Sequence, residues 1–230
     1  MTHRIATLLT YLMVAAASAS VAQPSTQVRR VGIIVSLGDH IEFTHVGWTA
    51  FDSRNLELPI SSWNLDDQVA QQTAELIRSK FTIVPIIYDK DSFITPNAKW
   101  PNPRNPKLEP LIRARPSAES DAYLIIRRTA FPFGDQYFEG LSTATYQNIF
   151  LSPNSACATL EIELVKAEDA EIVASSKAPP ICTRFNHRDL AESPDKMTEA
   201  QLQQLHQVFK TLVSKVLVRS LTAMGLAGSE

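Results

Sequence analysis

His40, Glu42 and His45 stand close together just after the pair Gly38-Asp39 and the apolar run at 31–37. An imidazole beside a carboxylate is the raw material of a metal centre or an acid–base pair. On a strand, however, His40 and Glu42 share one face, and His45, of opposite parity, points away. A catalytic metal centre needs about three convergent ligands. This stretch offers one histidine and one carboxylate beside Val35 and Leu37. The later histidines, His187 and His206, fall in a loop and on the polar side of the last helix. The expectation is therefore a polar hairpin tip, with no metal, no cofactor and no catalytic residues.

Three further groups of residues could carry chemistry or contacts. Cys157 and Cys182 are the only cysteines. If they flank a hairpin that turns near residue 169, they fall on the same face as Glu161 and Glu163. A disulfide between them is expected, stabilising by about 2–4 kcal/mol; a catalytic thiol would need an activating base nearby, and none is evident. The stretch 130–150 gathers Phe131, Phe133, Tyr137, Phe138, Tyr146 and Phe150 without sustained alternation or helical period. It reads as a long excursion between strands, and long ordered loops and clustered aromatics both point to partner contacts. The alternative is that the rings fold back as a satellite core. Arg113, Arg115, Arg127 and Arg128 surround one strand, where parity separates Arg127 from Arg128.

The elements that must hold these residues follow from periodicity. Alternation over 29–37, the turn Gly38-Asp39 and a return strand over 40–51 predict a first hairpin. Asn64 as cap, Asp66 and Asp67 in the first turn, and the stripe Val69, Thr73, Leu76, Ile77 predict a helix. Residues 81–89 and 122–128 read as strands, the former with Pro85 arguing for an edge or bulge. Five prolines in 95–110 mark a loop, and 110–114 reads as a short helix. Residues 157–177 form the clearest hairpin. Thr198 with Gln201 makes a capping box, and Leu202, Leu205, Phe209, Leu212 and Val216 run on toward Gly225 as a helix of roughly 40 Å. The order predicts an α+β fold: a single mixed or antiparallel sheet with helices packed on it and a long C-terminal amphipathic helix.

Residues 1–22 have the order of a cleavable export signal: basic His3 and Arg4, an apolar stretch, then Ser20-Val21-Ala22, with 17–19 as an alternative cleavage point. The apolar stretch is shorter than the roughly 20 residues that span a bilayer. The expected mature chain is one domain over 23–230, periplasmic or secreted, without a membrane anchor. With 22 Lys and Arg against 24 Asp and Glu, no field steers it to nucleic acid. Only seven glycines occur, and neither a phosphate-cradling loop nor a nucleophile elbow is present.

The segment ACATLEIELVKAEDAEIVASSK resembles the x-L-x-L-x-L-V-D-x-x-T-G-x-V-V element of a group of envelope proteins. That group includes the curli-secretion lipoprotein, the lipoprotein activator of a penicillin-binding protein, and the N-terminal domain of the Tol–Pal component TolB. In these a strand like DAYLIIRR precedes the hairpin and a long helix follows it. Ala167 and Ala170 stand here where Asp and Gly are usual. The resemblance implies a non-enzymatic accessory protein whose partner is another envelope protein. The rival classes are a secreted hydrolase whose groups meet only in three dimensions, and a small-ligand carrier.

Overall fold

The computed structural model describes residues 28–47, 51–90, 93, 119–133, 136–146, 154–186 and 189–227, and at 132, 133, 136–138 and 146 it describes the backbone. The expected export signal at 1–22 and the expected helix at 110–114 lie outside these residues. Twelve strands and two α-helices follow in order among them. They are β1 (Arg30–Ser36), β2 (His40–Val46), β3 (Arg54–Pro59), α1 (Leu65–Ile77), β4 (Thr82–Val84), β5 (Ala122–Arg128) and β6 (Ala130–Phe133). Then come β7 (Gln136–Glu139), β8 (Leu141–Tyr146), β9 (Asn154–Ala158), β10 (Leu160–Lys166), β11 (Ile172–Lys177), β12 (Ile181–Phe185) and α2 (Glu199–Ala223).

The expected single sheet is corrected. Two mixed five-stranded sheets form, ordered β11-β10-β5-β1-β4 and β12-β9-β8-β2-β3, with β6 and β7 as a separate two-stranded ribbon. The expected hairpin over 29–51 does not form either. β1 lies parallel between β4 and β5, while β2 pairs with β3 and β8 in the other sheet. Gly38-Asp39 is a corner between sheets. The reason is visible in the strand orders: β10-β5-β1 in one sheet is matched by β9-β8-β2 in the other. Along this seam the chain crosses from one sheet to the other over residues 37–39, at Thr159, and between Thr129 and Gly140; it also crosses between β3 and β4 and between β11 and β12.

A cycle of backbone hydrogen bonds closes this seam. Thr129 N–H donates to Thr159 O at 3.2 Å, Thr159 N–H to Gly140 O at 2.8 Å, and Gly140 N–H to Thr129 O at 3.1 Å. Buried backbone groups at a break in the ladder must find partners, and these three find one another.

The main core lies between the sheets and both helices. Val31, Ile33 and Val35 of β1, Leu124 and Ile126 of β5, and Leu160, Ile162 and Leu164 of β10 meet Ile41, Leu141 and Ala156 from the second sheet. α1 contributes Leu65, Val69 and Ile77, and α2 contributes Leu205, Phe209, Leu212, Val216 and Leu217. The 3.6-residue spacing puts these side chains on one stripe of each helix. The capping box of α2 is made: Thr198 accepts from Gln201 N–H, and the Gln201 side chain accepts from Thr198 N–H.

The other face of the first sheet carries a smaller cluster of Ile34, Tyr123, Ile125 and Val165 with Phe93. Only residues 82–84 of the expected strand at 81–89 pair. Past Pro85, the Tyr88 hydroxyl takes the ladder's place, accepting from Val35 N–H at 2.9 Å and donating to Val35 O at 3.1 Å.

Candidate functional site

The seam draws together charged residues that are far apart in sequence. Arg128, the last residue of β5, lies across two glycines of left-handed backbone, Gly38 (φ 87°) and Gly140 (φ 56°). A Cβ at Gly140 would stand 2.8 Å from Arg128 Cβ, and one at Gly38 would stand 3.3 Å from its Nη1. These positions need glycine for conformation and for room. The Arg128 side chain is 10% exposed, with Nε 3.8 Å from Glu139 Oε1.

Arg128 Nη1 donates to His40 Nε2 at 3.0 Å, and His40 Nδ1 lies 2.9 Å from Asp39 Oδ1. A guanidinium only donates and a carboxylate only accepts. The ring therefore carries its proton on Nδ1 and gives its lone pair to Arg128. The His40 hydrogen bond, first among the causes, holds the Asp39 carboxyl below its usual range. Burial pushes Glu139 up, with Arg128 pulling it back and Glu42 adding to the rise.

A third candidate ligand that sequence parity could not supply arrives from β3. Glu57 sits opposite Glu42 in register, and His40, Glu42 and Glu57 offer ligand atoms within 4.8 Å of one another. From His40 Nε2, Glu42 Oε1 is 3.7 Å and Glu57 Oε1 4.0 Å away. The Nε2 lone pair already faces a guanidinium, so the negative charge here meets a cation of the chain itself. With Arg128 in place, the three side chains do not fit around a metal ion.

His45 turns away as its parity requires. It is buried, with Nδ1 3.0 Å from Thr145 Oγ1. His206 is not on a polar helix face: it stacks on Trp63, ring centroids 4.6 Å apart. Burial, with Lys210 adding, lowers its pKa below the usual 6.5. His187 lies outside the described residues.

A cleft of about 190 Å³ opens beside this corner, at the carboxyl end of β1, lined by Ser36, Asp39, Asn64, Asp66 and Lys90 among others. Crevices at the carboxyl ends of parallel strands, where strand order reverses, are common ligand sites, and β1 lies at such a point. Its charged groups are already engaged. Asp66 Oδ1 accepts from Leu37 N–H at 3.0 Å. Lys90 Nζ is 3.0 Å from Asp67 Oδ1 and 3.6 Å from Asp66 Oδ2. Ser36 Oγ donates to Lys90 O. Burial raises the Asp66 carboxyl above its usual range, against the hydrogen bond from Leu37. Asn64 occupies the N-cap position with left-handed backbone (φ 49°) and makes no side-chain cap.

Cys157 and Cys182 are joined, directly opposed on the adjacent strands β9 and β12. Arg127, on the sheet face opposite Arg128, is buried against β10, its Nη2 2.8 Å from Glu161 Oε2 and 3.0 Å from Glu163 Oε2. Arg113 and Arg115 lie outside the described residues. Parity separated the two strand arginines correctly; what it could not show is that each meets carboxylates.

The excursion at 130–150 begins as the ribbon. Phe131 pairs in register with Phe138, Pro132 with Tyr137 and Phe133 with Gln136. The Phe131 side chain is half-buried. Those of Phe133, Tyr137, Phe138 and Tyr146 lie outside the described residues, as does Phe150. β7 passes close to β8 and β9, where Ala144 and Cys157 are buried on the sheet face away from the main core.

No family model matches the chain, and no curated protein matches it. Among solved structures, it is similar to a Xanthomonas campestris protein described as DUF330, at 14% identity and TM-score 0.39, over 86% of this chain and 84% of that one. A PelC dodecamer from Paraburkholderia phytofirmans aligns at 10% identity and TM-score 0.31, over 83% and 86%. A lipoprotein from Neisseria meningitidis aligns at 13% and 0.30, over 82% and 97%. These likenesses assign no family.

Proposed function

We propose that the chain is an exported, disulfide-stapled accessory protein of the cell envelope that binds another envelope protein through the β6–β7 ribbon. The carrying observation is how the ribbon is inserted. Gly140 N–H donates to Thr129 O, so its two ends meet at the seam, and it adds no strand to either five-stranded sheet. A two-stranded ribbon alone is marginal in water. Ten residues rich in Phe and Tyr, set off in this way, have the composition of an interface hot spot. The disulfide supports an oxidising compartment, consistent with the export signal read at 1–22.

The rival classes find less support among the described residues. A hydrolase needs a free base, but both ring nitrogens of His40 are engaged. A carrier pocket usually measures about 300–1,000 Å³, and the cleft is smaller, with its charged groups paired.

Replacing Phe133, Tyr137 and Phe138 together by Ala should abolish cross-linking to the envelope partner and leave the thermal midpoint nearly unchanged. A triple variant that fails to fold would show the rings to be core and sink the interface. Intact mass of the same preparation should place the mature start at or near Gln23; a retained leader would remove the compartment from the proposal.

A further inference from the structure

We propose that Cys182 is the entry point for thiol–disulfide exchange, the sulfur that another molecule's thiol engages when the Cys157–Cys182 bond is made or opened, and that Arg184 draws negatively charged thiols to it. The two sulfurs of this bond stand in unlike places. Cys157 is 0% exposed and belongs to β9, which has β8 on its other side. Buried Ser142 of β8 faces it in register, and Ala144 packs beside it. Cys182 is exposed and belongs to β12, the edge strand of that sheet, whose neighbour among the described residues is β9 alone.

Exchange requires a line of approach. The attacking thiolate comes in along the S–S axis from the side opposite the leaving sulfur, and its rate depends on which sulfur it can reach. The two residues are directly opposed, Cα atoms 4.1 Å apart, so this axis leads from one strand toward the other. Attack on Cys182 Sγ therefore comes from beyond the sheet edge, where no described strand lies. Attack on Cys157 Sγ would have to come through β8 and beneath β7, which passes close to both β8 and β9. In opening, a thiolate RS⁻ forms an S–S bond to Cys182 while the Cys157–Cys182 bond breaks. Cys157 leaves with the electron pair and takes up a proton. In closing, the Cys157 thiolate attacks Cys182 of the mixed disulfide and releases RS⁻. The apolar setting of Cys157 makes it a poor leaving thiolate, and its place opposite Cys182 favours closing again, so the open form is short-lived. Arg184 is exposed two residues along β12, on the same face as Cys182, and supplies the positive charge.

Brief treatment of the native, oxidised chain with glutathione, stopped with acid, tests this. The chain is then unfolded, its free thiols are capped with N-ethylmaleimide at mildly acidic pH, and its peptides are mapped. Among opened molecules the expected result is glutathione on Cys182 and maleimide on Cys157, by at least about ten to one. Arg184→Glu should slow opening by glutathione about 3- to 8-fold relative to opening by neutral 2-mercaptoethanol, the effect of reversing one charge about 7 Å from the attacking anion. Glutathione found equally on both cysteines, or chiefly on Cys157, would overturn the proposal. So would a bond that opens only under denaturing conditions, or a ratio between the two thiols that Arg184→Glu leaves unchanged. None of these outcomes bears on partner binding by the ribbon, which the cross-linking experiment reads separately.

Discussion

Gly140→Ala tests the packing of the seam. Gly140 has φ 56°, and a left-handed backbone costs an L-residue roughly 1–2 kcal/mol. The new methyl would stand 2.8 Å from Arg128 Cβ, well inside the 3.5–4.0 Å of a good carbon contact. Cβ is fixed to the backbone of β5 and cannot swing away, so overpacking of about 1–3 kcal/mol adds to the first term. The reduced freedom of the unfolded chain returns about 0.4–1 kcal/mol. The net expectation is a loss of about 2–4 kcal/mol, or a midpoint roughly 4–16 °C lower for a domain of this size. Gly38→Ala is the internal comparison. Its methyl would meet Arg128 Nη1 at 3.3 Å, the far end of a flexible side chain, so the backbone term dominates and, less the same unfolded-chain return, the loss should be about 0.5–1.5 kcal/mol. Urea titrations of both variants with the disulfide intact give the two numbers. A Gly140→Ala chain within about 0.5 kcal/mol of wild type, or one less affected than Gly38→Ala, would refute the account of Arg128 packed across two glycines.

Two further outcomes follow from the site. Peptide mapping without reduction should recover Cys157 linked to Cys182, and the double Ser variant should lose about 3–4 kcal/mol, the loop-closure value for a separation of 25 residues; free alkylation of both thiols in the native exported protein would contradict the pairing. His206, stacked on Trp63, has a folded pKa lowered below 6.5, so the unfolded chain binds the proton first. Its contribution is whole above 6.5 and is lost as pH falls below that value. The stability of wild type relative to His206→Phe should therefore decline on acidification through 6.5, and two curves that run parallel there would refute the assignment.

What could be read from the chain alone follows the range of each signal. The capping box Thr198–Gln201 and the stripe of α2 are local, and both are formed. The β10–β11 hairpin is local too, closing over residues 167–171. Period-two alternation over 31–37 and 40–46 correctly marks two strands, but it is the same whether a strand pairs with its neighbour or bends into a different sheet. Gly38-Asp39 suits a hairpin turn and a corner equally well. The decisive partners, β4 and β5 for β1 and β3 and β8 for β2, mostly lie far along the chain, so one sheet was expected where two form. The same distance hid the setting of His40: Arg128 stands 88 residues away, and Glu57 comes into reach only through the register of β3. The parity of Arg127 and Arg128 was legible because it depends on one strand alone.

The place of β1 has a consequence for the order of assembly. β5, β8, β9, β10 and β11 lie within residues 122–177 and pair among themselves inside that span. β1 joins β5 at Val31 opposite Ala122, closing about ninety residues of intervening chain. By loop-closure entropy that step costs about 2 kcal/mol more than closing the β10–β11 hairpin, and contacts so distant in sequence form slowly. The first of the described strands is thus fitted into the middle of its sheet late. Until β5 emerges, the N-terminal part of the chain lacks a neighbour that its own sheet requires. On the proposed export, a polypeptide that must stay unfolded until it has crossed a membrane gains time from that arrangement.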